Sequence, residues 1–120
     1  MQRVEVALGA RSYDILIGCG LDDAFIAFVR QAGYSPRGMI VTDTNIGPRY
    51  APHVAKLAER AGVAVDVVTV PAGETSKSLV QADHIFTRAI EFGLDRRSPI
   101  FALGGGVVGD LTGFVAATYM

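Results

Sequence analysis

The sequence predicts an α/β protein, with a mostly parallel sheet that has helices on both faces and is preceded by a β-hairpin. Three observations predict this fold class. Short apolar segments of strand length alternate with longer segments in which apolar residues recur at helical spacing. The later strand segments are almost continuously apolar, which is typical of parallel strands buried on both faces. The last of them leads into three consecutive glycines and then into a helical segment.

The first two elements are predicted to be strands, because their apolar residues alternate with polar or small ones. The alternating apolar residues are Val4, Val6 and Leu8 in the first segment and Tyr13, Ile15 and Ile17 in the second. A turn around residues 9–11 joins the two segments. We therefore expect a half-buried β-hairpin at the start of the chain.

Three amphipathic helices are predicted further along, at residues 21–32, 50–61 and 79–90. Each of them is followed by a glycine that suits the C-terminal end of a helix. These glycines are Gly33, Gly62 and Gly93.

Strands are predicted between and after these helices, at residues 39–41, 63–70 and 99–103. A last helix that includes residues 114–120 is apolar on nearly all sides, and such a helix is normally buried. We therefore expect the chain to be a piece of a larger protein. No linker, repeat or low-complexity segment interrupts the sequence, so residues 1–120 are expected to form one domain.

The composition excludes several classes of function. The 120 residues carry 11 Lys and Arg against 12 Asp and Glu, which argues against a nucleic acid or a membrane surface as a partner held by bulk charge. Cys19 is the only cysteine, so an internal disulfide and a Cys-x-x-Cys metal site are excluded. There is no signal-peptide pattern, and no apolar stretch approaches the roughly 20 residues of a membrane span. We expect a soluble, cytoplasmic protein.

Candidate ligand-binding residues follow three of the predicted strands, and ligands of open α/β sheets bind beyond the carboxyl ends of strands. These residues are Asp43 and Asn45 after the first strand, Gly73, Glu74, Thr75, Ser76 and Lys77 after the second, and residues 104–110 after the third. An acidic side chain can accept hydrogen bonds from ribose, a lysine can neutralise a phosphate, and a glycine loop can offer N–H groups to a diphosphate. The pattern predicts a dinucleotide site in a Rossmann-like fold.

Each of the three segments also has a purely structural interpretation. Asp43 and Asn45 could cap the next helix, and Glu74–Ser76 could begin a helix with Lys77 on its solvated face. The consecutive glycines could form only a tight turn. The loop also departs from the G-x-G-x-x-G pattern, because Asp110 stands where the helix is expected to pack closely.

The histidines and the cysteine are weaker candidates. His53 and His84 lie in predicted helices without a second ligand at the fourth position along, so we expect ordinary surface or boundary residues. Cys19 stands between two glycines with no histidine near it in sequence, and we expect a small buried residue. No metal site is expected in this chain.

Three motifs resemble those of the 3-dehydroquinate synthases, in the order that this family has them. They are RSYDILIG at residues 11–18, PAGETSKS at residues 71–78 and ALGGGVVGDLTGFVAATY at residues 102–119. The resemblance covers the whole chain. It implies that residues 1–120 are most of the N-terminal NAD-binding domain of a longer, two-domain enzyme.

The resemblance also implies which residues contact NAD. Asp43 and Asn45 match the positions that hold the adenosine half, and the other matched residues lie in the second and third motifs. Those residues are Ala72, Gly73, Glu74, Thr75, Ser76, Lys77, Gly105, Gly106, Val107, Val108, Gly109 and Asp110. No catalytic residue or metal ligand of the family matches this chain. The zinc or cobalt ligands and most substrate-binding residues of the family lie in a C-terminal helical domain, beyond residue 120.

The implied reaction converts 3-deoxy-D-arabino-heptulosonate 7-phosphate to 3-dehydroquinate and phosphate, in the shikimate pathway to chorismate and the aromatic amino acids. The enzyme is a phosphate-eliminating lyase, and the family suggests a homodimer with a phosphorylated sugar acid as its substrate. The alternatives are another sugar phosphate cyclase, a related metal-dependent alcohol dehydrogenase, or a non-catalytic nucleotide-binding module. A longer reading frame that supplies a glutamate and a pair of histidines would favour the enzyme.

Overall fold

The computed structural model describes residues 1–120 and has the predicted order of elements. The strands are β1 (Gln2–Val6), β2 (Tyr13–Ile17), β3 (Arg37–Asp43), β4 (Ala64–Val70) and β5 (Ile100–Leu103). The helices are α1 (Asp22–Ala32), α2 (Gly47–Arg60), α3 (Leu79–Phe92) and α4 (Gly106–Thr118). Short 3₁₀ turns occupy Gly9–Arg11 and Glu74–Ser76. Gly33 and Gly93 end α1 and α3 in the left-handed conformation, as predicted.

The central sheet contains three parallel strands in the order β4-β3-β5. Along β3, alternate side chains face opposite layers of helices. Met39 and Val41 belong to a buried cluster with α3 and α4, whereas Thr42 lies against the start of α2. On that second side Phe25 of α1 packs on Phe101 of β5, with ring centroids 5.3 Å apart. The predicted fold class, with helices on both faces of a mostly parallel sheet, is confirmed.

The hairpin of β1 and β2 is formed as predicted, but the expectation that it is half-buried is wrong. β1 and β2 pair only with each other. Tyr13, Ile15 and Ile17 remain 55%, 44% and 51% exposed. The hairpin faces α1 across an open, largely apolar groove of about 710 Å³ and does not close onto it. Cys19, in the bend after β2, is also exposed. The expectation of a small buried residue at this position is therefore wrong.

The last helix starts in the glycine segment, as predicted, but ends before residue 120. α4 begins inside the glycine segment at Gly106 and ends at Thr118, so Tyr119 and Met120 lie outside it. The Tyr119 hydroxyl donates to the carbonyl of Leu94 at 2.9 Å, which holds the end of the chain against the turn before β5. One side of α4 is buried, and Phe114 on another side is 47% exposed. No helix of the structure has the length and apolar character needed to cross a membrane.

Candidate functional site

The sheet brings the three predicted segments together at one edge. β3 lies between the other two strands, with Asp43 in register with Val70 of β4 and Thr42 in register with Leu103 of β5. Because all three strands are parallel, their carboxyl ends meet at the same edge of the sheet. Residues 43–46, 71–77 and 104–110 therefore form one continuous surface.

Two threonines outside the predicted set of site residues connect the end of β3 to its neighbours. The Thr42 hydroxyl donates to the carbonyl of Leu103 at 2.8 Å. On the other side, the N–H of Ala72 donates to Oγ1 of Thr44 at 3.0 Å, and the N–H of Thr44 donates to the carbonyl of Val70 at 3.1 Å. In the sequence, these threonines could have been found as the two hydroxyl residues that flank Asp43 at the end of an apolar strand.

Asp43 closes the turn that leads from β3 into α2. Its Oδ1 accepts hydrogen bonds from the N–H groups of Asn45 at 2.9 Å and Ile46 at 2.8 Å. Ile46 holds the N-cap position of α2, so Asp43 and Asn45 are not the cap residues that the structural alternative required. The second carboxylate oxygen of Asp43 makes no hydrogen bond within the protein, and the Asn45 side chain is exposed beside it. Both side chains can therefore receive a ligand.

The segment after β4 makes a turn of its own before α3 begins. Gly73 has φ of 111°, a conformation that L side chains rarely adopt. Ser76 is buried and its hydroxyl donates to the carbonyl of Pro71, so this side chain supports the turn from inside. The cap of α3 is Ser78, whose Oγ accepts from the N–H of Gln81 at 3.3 Å. The alternative in which Glu74–Ser76 begin the helix is therefore wrong.

The structural alternative placed Lys77 on the solvated face of a helix. The structure instead places it in the turn before α3. Its Nζ is 2.9 Å from Oδ2 of Asp110 and 3.9 Å from Oε1 of Glu74. The hydrogen bond to Asp110, and then the negative charges of Asp110 and Glu74, raise the pKa of Lys77 above its ordinary value. The lysine is thus held as a cation between the second and third segments.

The glycine segment leaves its backbone open to a ligand. Gly105 is the N-cap of α4, and the first N–H groups of a helix have no partner within it. A Cβ atom added at Gly105, Gly106 or Gly109 would meet no atom within 4 Å. Val107 is half-buried, and the Val108 side chain is buried in the core, so Val108 could contact a ligand only through its backbone. The space beside Gly105 and Gly106 is therefore accessible to a ligand.

A small pocket adjoins the ion pair on the side of α3 and α4. Its volume is about 300 Å³. Lys77 and Asp110 form its polar rim, and Leu79, Leu111 and Phe114 form its apolar wall. Leu79 is 77% exposed, which leaves this wall accessible. The edge of the sheet therefore offers polar groups beside an apolar surface, as small-molecule sites do.

The remaining titratable candidates lie apart from this edge. His53 of α2 contacts Asp22 of α1, with Nε2 and Oδ2 2.8 Å apart. His84 is exposed on α3. No group of three or more His, Cys, Asp or Glu side chains is arranged to hold a metal ion.

Comparison with known sequences identifies similar proteins over the whole chain. The family model for the N-terminal part of 3-dehydroquinate synthase matches residues 67–120. A 3-dehydroquinate synthase of Desulforamulus reducens is 45% identical over 120 residues, which is 100% of this chain and 33% of that protein. One from Symbiobacterium thermophilum is 47% identical over 114 residues, or 94% of this chain and 32% of that protein. The chain spans about a third of the length of these relatives.

Solved structures show the same fold. A 2-deoxy-scyllo-inosose synthase superposes with a TM-score of 0.86 at 20% identity, covering 98% of this chain and 33% of that one. The complex of such a synthase with carbaglucose-6-phosphate, NAD⁺ and Co²⁺ has a TM-score of 0.86 at 19% identity, covering 98% and 32% of the two chains. The 2-epi-5-epi-valiolone synthase of Streptomyces hygroscopicus subsp. jinggangensis, with NAD⁺ and Zn²⁺ bound, has a TM-score of 0.73 at 26% identity, covering 95% and 31%. These structures confirm the fold, and the sequence comparisons confirm the resemblance to 3-dehydroquinate synthases that the motifs carry.

Proposed function

We propose that this chain is the NAD-binding part of a 3-dehydroquinate synthase. It is similar over its whole length to about a third of such an enzyme, and its residues 67–120 match the N-terminal part of the family. One observation carries the proposal. The ends of three parallel strands form a continuous surface, and beside it the open glycines Gly105 and Gly106 begin α4. A helix N-terminus that a ligand can approach closely suits a diphosphate.

The groups at the edge of the sheet fit the parts of NAD in order. The free carboxylate oxygen of Asp43 and the exposed Asn45 amide would hold the adenosine ribose, as hydrogen-bonding groups at the end of a central strand do. The N–H groups at the start of α4 would hold the diphosphate. Asp110, next to the apolar wall of the small pocket, would accept a hydrogen bond from the ribose of the nicotinamide half.

The second segment contributes differently from what its motif alone implies. Lys77 and Glu74 would contact the cofactor through their charged groups. Ala72, Gly73 and Thr75 would give the turn the shape that brings its backbone to the cofactor. Ser76 and Val108 would act through their backbones, because both side chains are buried. The residues of the two motifs thus divide into ligand contacts and supports for them.

The proposed reaction is the conversion of 3-deoxy-D-arabino-heptulosonate 7-phosphate to 3-dehydroquinate and phosphate, a lyase step of the shikimate pathway. Bound NAD⁺ supplies a hydride acceptor for an alcohol of the substrate. The role of this chain is to bind and orient the cofactor. We assign the divalent metal, zinc or cobalt, and most of the substrate contacts to residues outside these 120, and we propose a cytoplasmic homodimer. The NAD⁺ and the divalent metal bound in two similar structures support the choice of cofactor and metal.

A second candidate is another sugar phosphate cyclase, because a 2-deoxy-scyllo-inosose synthase superposes on 98% of the chain. The two candidates share the cofactor and differ in the substrate. The 41–47% identity to 3-dehydroquinate synthases, against 19–26% to the solved cyclases, supports the first.

Titration of the isotope-labelled chain with NAD⁺, followed by amide chemical shifts, tests the proposed site. We expect shifts at residues 104–110, at residues 74–77 and at Asn45. Because contacts outside these 120 residues would be missing, we expect weak binding. Shifts confined to the hairpin or to the outer faces of α1 and α3 would contradict the assignment.

A further inference from the structure

We propose that Thr42 and Thr44 are positioning residues of the NAD site, which set the glycine segment and the turn at residues 71–77 relative to Asp43. The inference rests on the proposed function and concerns the same site. The two threonines stand on either side of Asp43 at the end of the central strand. The Thr42 hydroxyl bonds to the last residue of β5, and the Thr44 hydroxyl bonds to the turn that follows β4.

Thr42 fixes the place where the glycine segment leaves the sheet. The residue is fully buried beneath the start of α2. Its methyl group lies so close to the buried Gly47 that a Cβ there would come within 2.8 Å of Cγ2. The side chain therefore has little freedom to rotate, and its hydroxyl is directed at the carbonyl of Leu103 at 2.8 Å. That carbonyl is the last group of β5 before Gly104.

Thr44 does the same for the turn after β4. Its N–H donates to the carbonyl of Val70 at 3.1 Å, and its Oγ1 accepts from the N–H of Ala72 at 3.0 Å. These two bonds extend the pairing of β3 and β4 past the end of the sheet. They hold the chain immediately before Gly73, where the turn toward Lys77 begins.

The contact between Lys77 and Asp110 completes a closed set of connections. Thr42 ties the end of β3 to the last residue of β5, directly before the glycine segment, and Thr44 ties it to the turn after β4. The 2.9 Å ion pair ties that turn to α4. Glycines have no side chain that could hold them in place. The position of the glycine segment must therefore be set by bonds to the residues before and after it. Loss of either hydroxyl is expected to misplace groups that bind the cofactor without removing any of them.

The test compares T42V and T44V, which keep the shape of threonine and lose the hydroxyl, in the protein otherwise unchanged. Calorimetric titration with NAD⁺ at a temperature where each variant is folded gives the dissociation constant. We expect binding to weaken roughly 2- to 12-fold in each variant, the range that corresponds to the net contribution of one hydrogen bond. T42S and T44S retain the hydroxyl and are expected to restore most of the affinity. T87V is the matched control, because the Thr87 hydroxyl donates to the carbonyl of Asp83 on α3, away from the site.

The outcomes separate this proposal from the proposed function. If T42V and T44V lower the melting temperature but bind NAD⁺ as the unmodified protein does, their role is only structural and the proposal is overturned. If the unmodified protein binds no NAD⁺, the proposed function fails and this proposal fails with it. Thr44 is exposed, so T44V is expected to fold and to give a decisive result even if T42V does not.

Discussion

The ammonium group of Lys77 lies 2.9 Å from a carboxylate oxygen of Asp110, although 33 positions separate the two residues in the chain. The pair joins the turn after β4 to the first turns of α4. It places one positive and one negative charge at the entrance of the small pocket beside the glycine segment. Both groups are among the residues proposed to contact NAD.

Asp110→Asn is expected to lower the pKa of Lys77 toward its ordinary value, because the hydrogen bond and the charge of Asp110 are its largest causes. In the unmodified protein the raised pKa favours the folded state at pH values below the unfolded pKa, and this contribution is lost as the pH rises through the folded pKa. NMR titration of the lysine side chain measures the change. Glu74→Gln is the comparison, and a smaller effect is expected because Glu74 lies 3.9 Å away. A larger effect of Glu74→Gln would contradict the geometry.

Lys77→Ala is expected to weaken NAD⁺ binding in the complete enzyme about 10- to 150-fold, corresponding to the roughly 1.5–3 kcal/mol of a hydrogen bond to a charged group. The substitution also leaves Asp110 and Glu74 without their cation next to the proposed diphosphate. The dissociation constant for NAD⁺ is the measurement. Lys56→Ala removes an exposed lysine of α2 and serves as the control. Equal affinity of the two variants would show that Lys77 has only a structural role.

Thr112→Val is expected to increase the free energy of unfolding of the chain. The Thr112 side chain is 4% exposed, and its hydroxyl has no hydrogen-bond partner. An unsatisfied buried polar group costs about 1–3 kcal/mol, and valine fills the same space without one. Urea unfolding measures the difference. Thr118→Val is the control, since that exposed hydroxyl donates to the carbonyl of Phe114 at 2.7 Å. Destabilisation by Thr112→Val would mean that its hydroxyl does have a partner.

The 120-residue chain by itself is expected to release no phosphate from 3-deoxy-D-arabino-heptulosonate 7-phosphate in the presence of NAD⁺ and zinc or cobalt. A catalytic metal is commonly held by three protein ligands with one position open. His53 and His84 lie on different helices, and His53 is engaged with Asp22. A phosphate-release assay gives the answer. Turnover at about 1–10³ per second, as in ordinary enzymes, would contradict the proposal that the metal and most substrate contacts lie outside these 120 residues.

The elements, and the meeting of the three candidate segments at one edge of the sheet, could be predicted because local signals specify them. Apolar periodicity gave the order of strands and helices, Gly33 and Gly93 gave two helix ends, and the glycine segment after β5 indicated the ligand-binding edge. The parallel sheet followed from the alternation of strands and helices.

What could not be predicted depends on contacts between distant residues. The alternation in β1 and β2 shows that one face of the hairpin is apolar, but it does not show whether anything covers that face. Similarly, Lys77 has the local pattern of a residue near a helix start, and only the packing of α4 beside the turn brings it to Asp110. The hydroxyl groups of Thr42 and Thr44 flank Asp43 in the sequence, but their backbone partners, Leu103 and Ala72, are brought to them only by the pairing of the strands.

Because the hairpin is separate from the central sheet, we expect it to unfold independently of that sheet. An isolated two-stranded hairpin is only marginally stable in water, and β1 and β2 have no third strand to pair with. Their hydrogen bonds can open while the β4-β3-β5 sheet stays folded, through a local unfolding of low free energy. In deuterated water the amides of β1 and β2 are therefore expected to exchange well before those of β3. A ligand at the edge of the sheet would protect the strands that carry its site and leave the exchange of the hairpin unchanged.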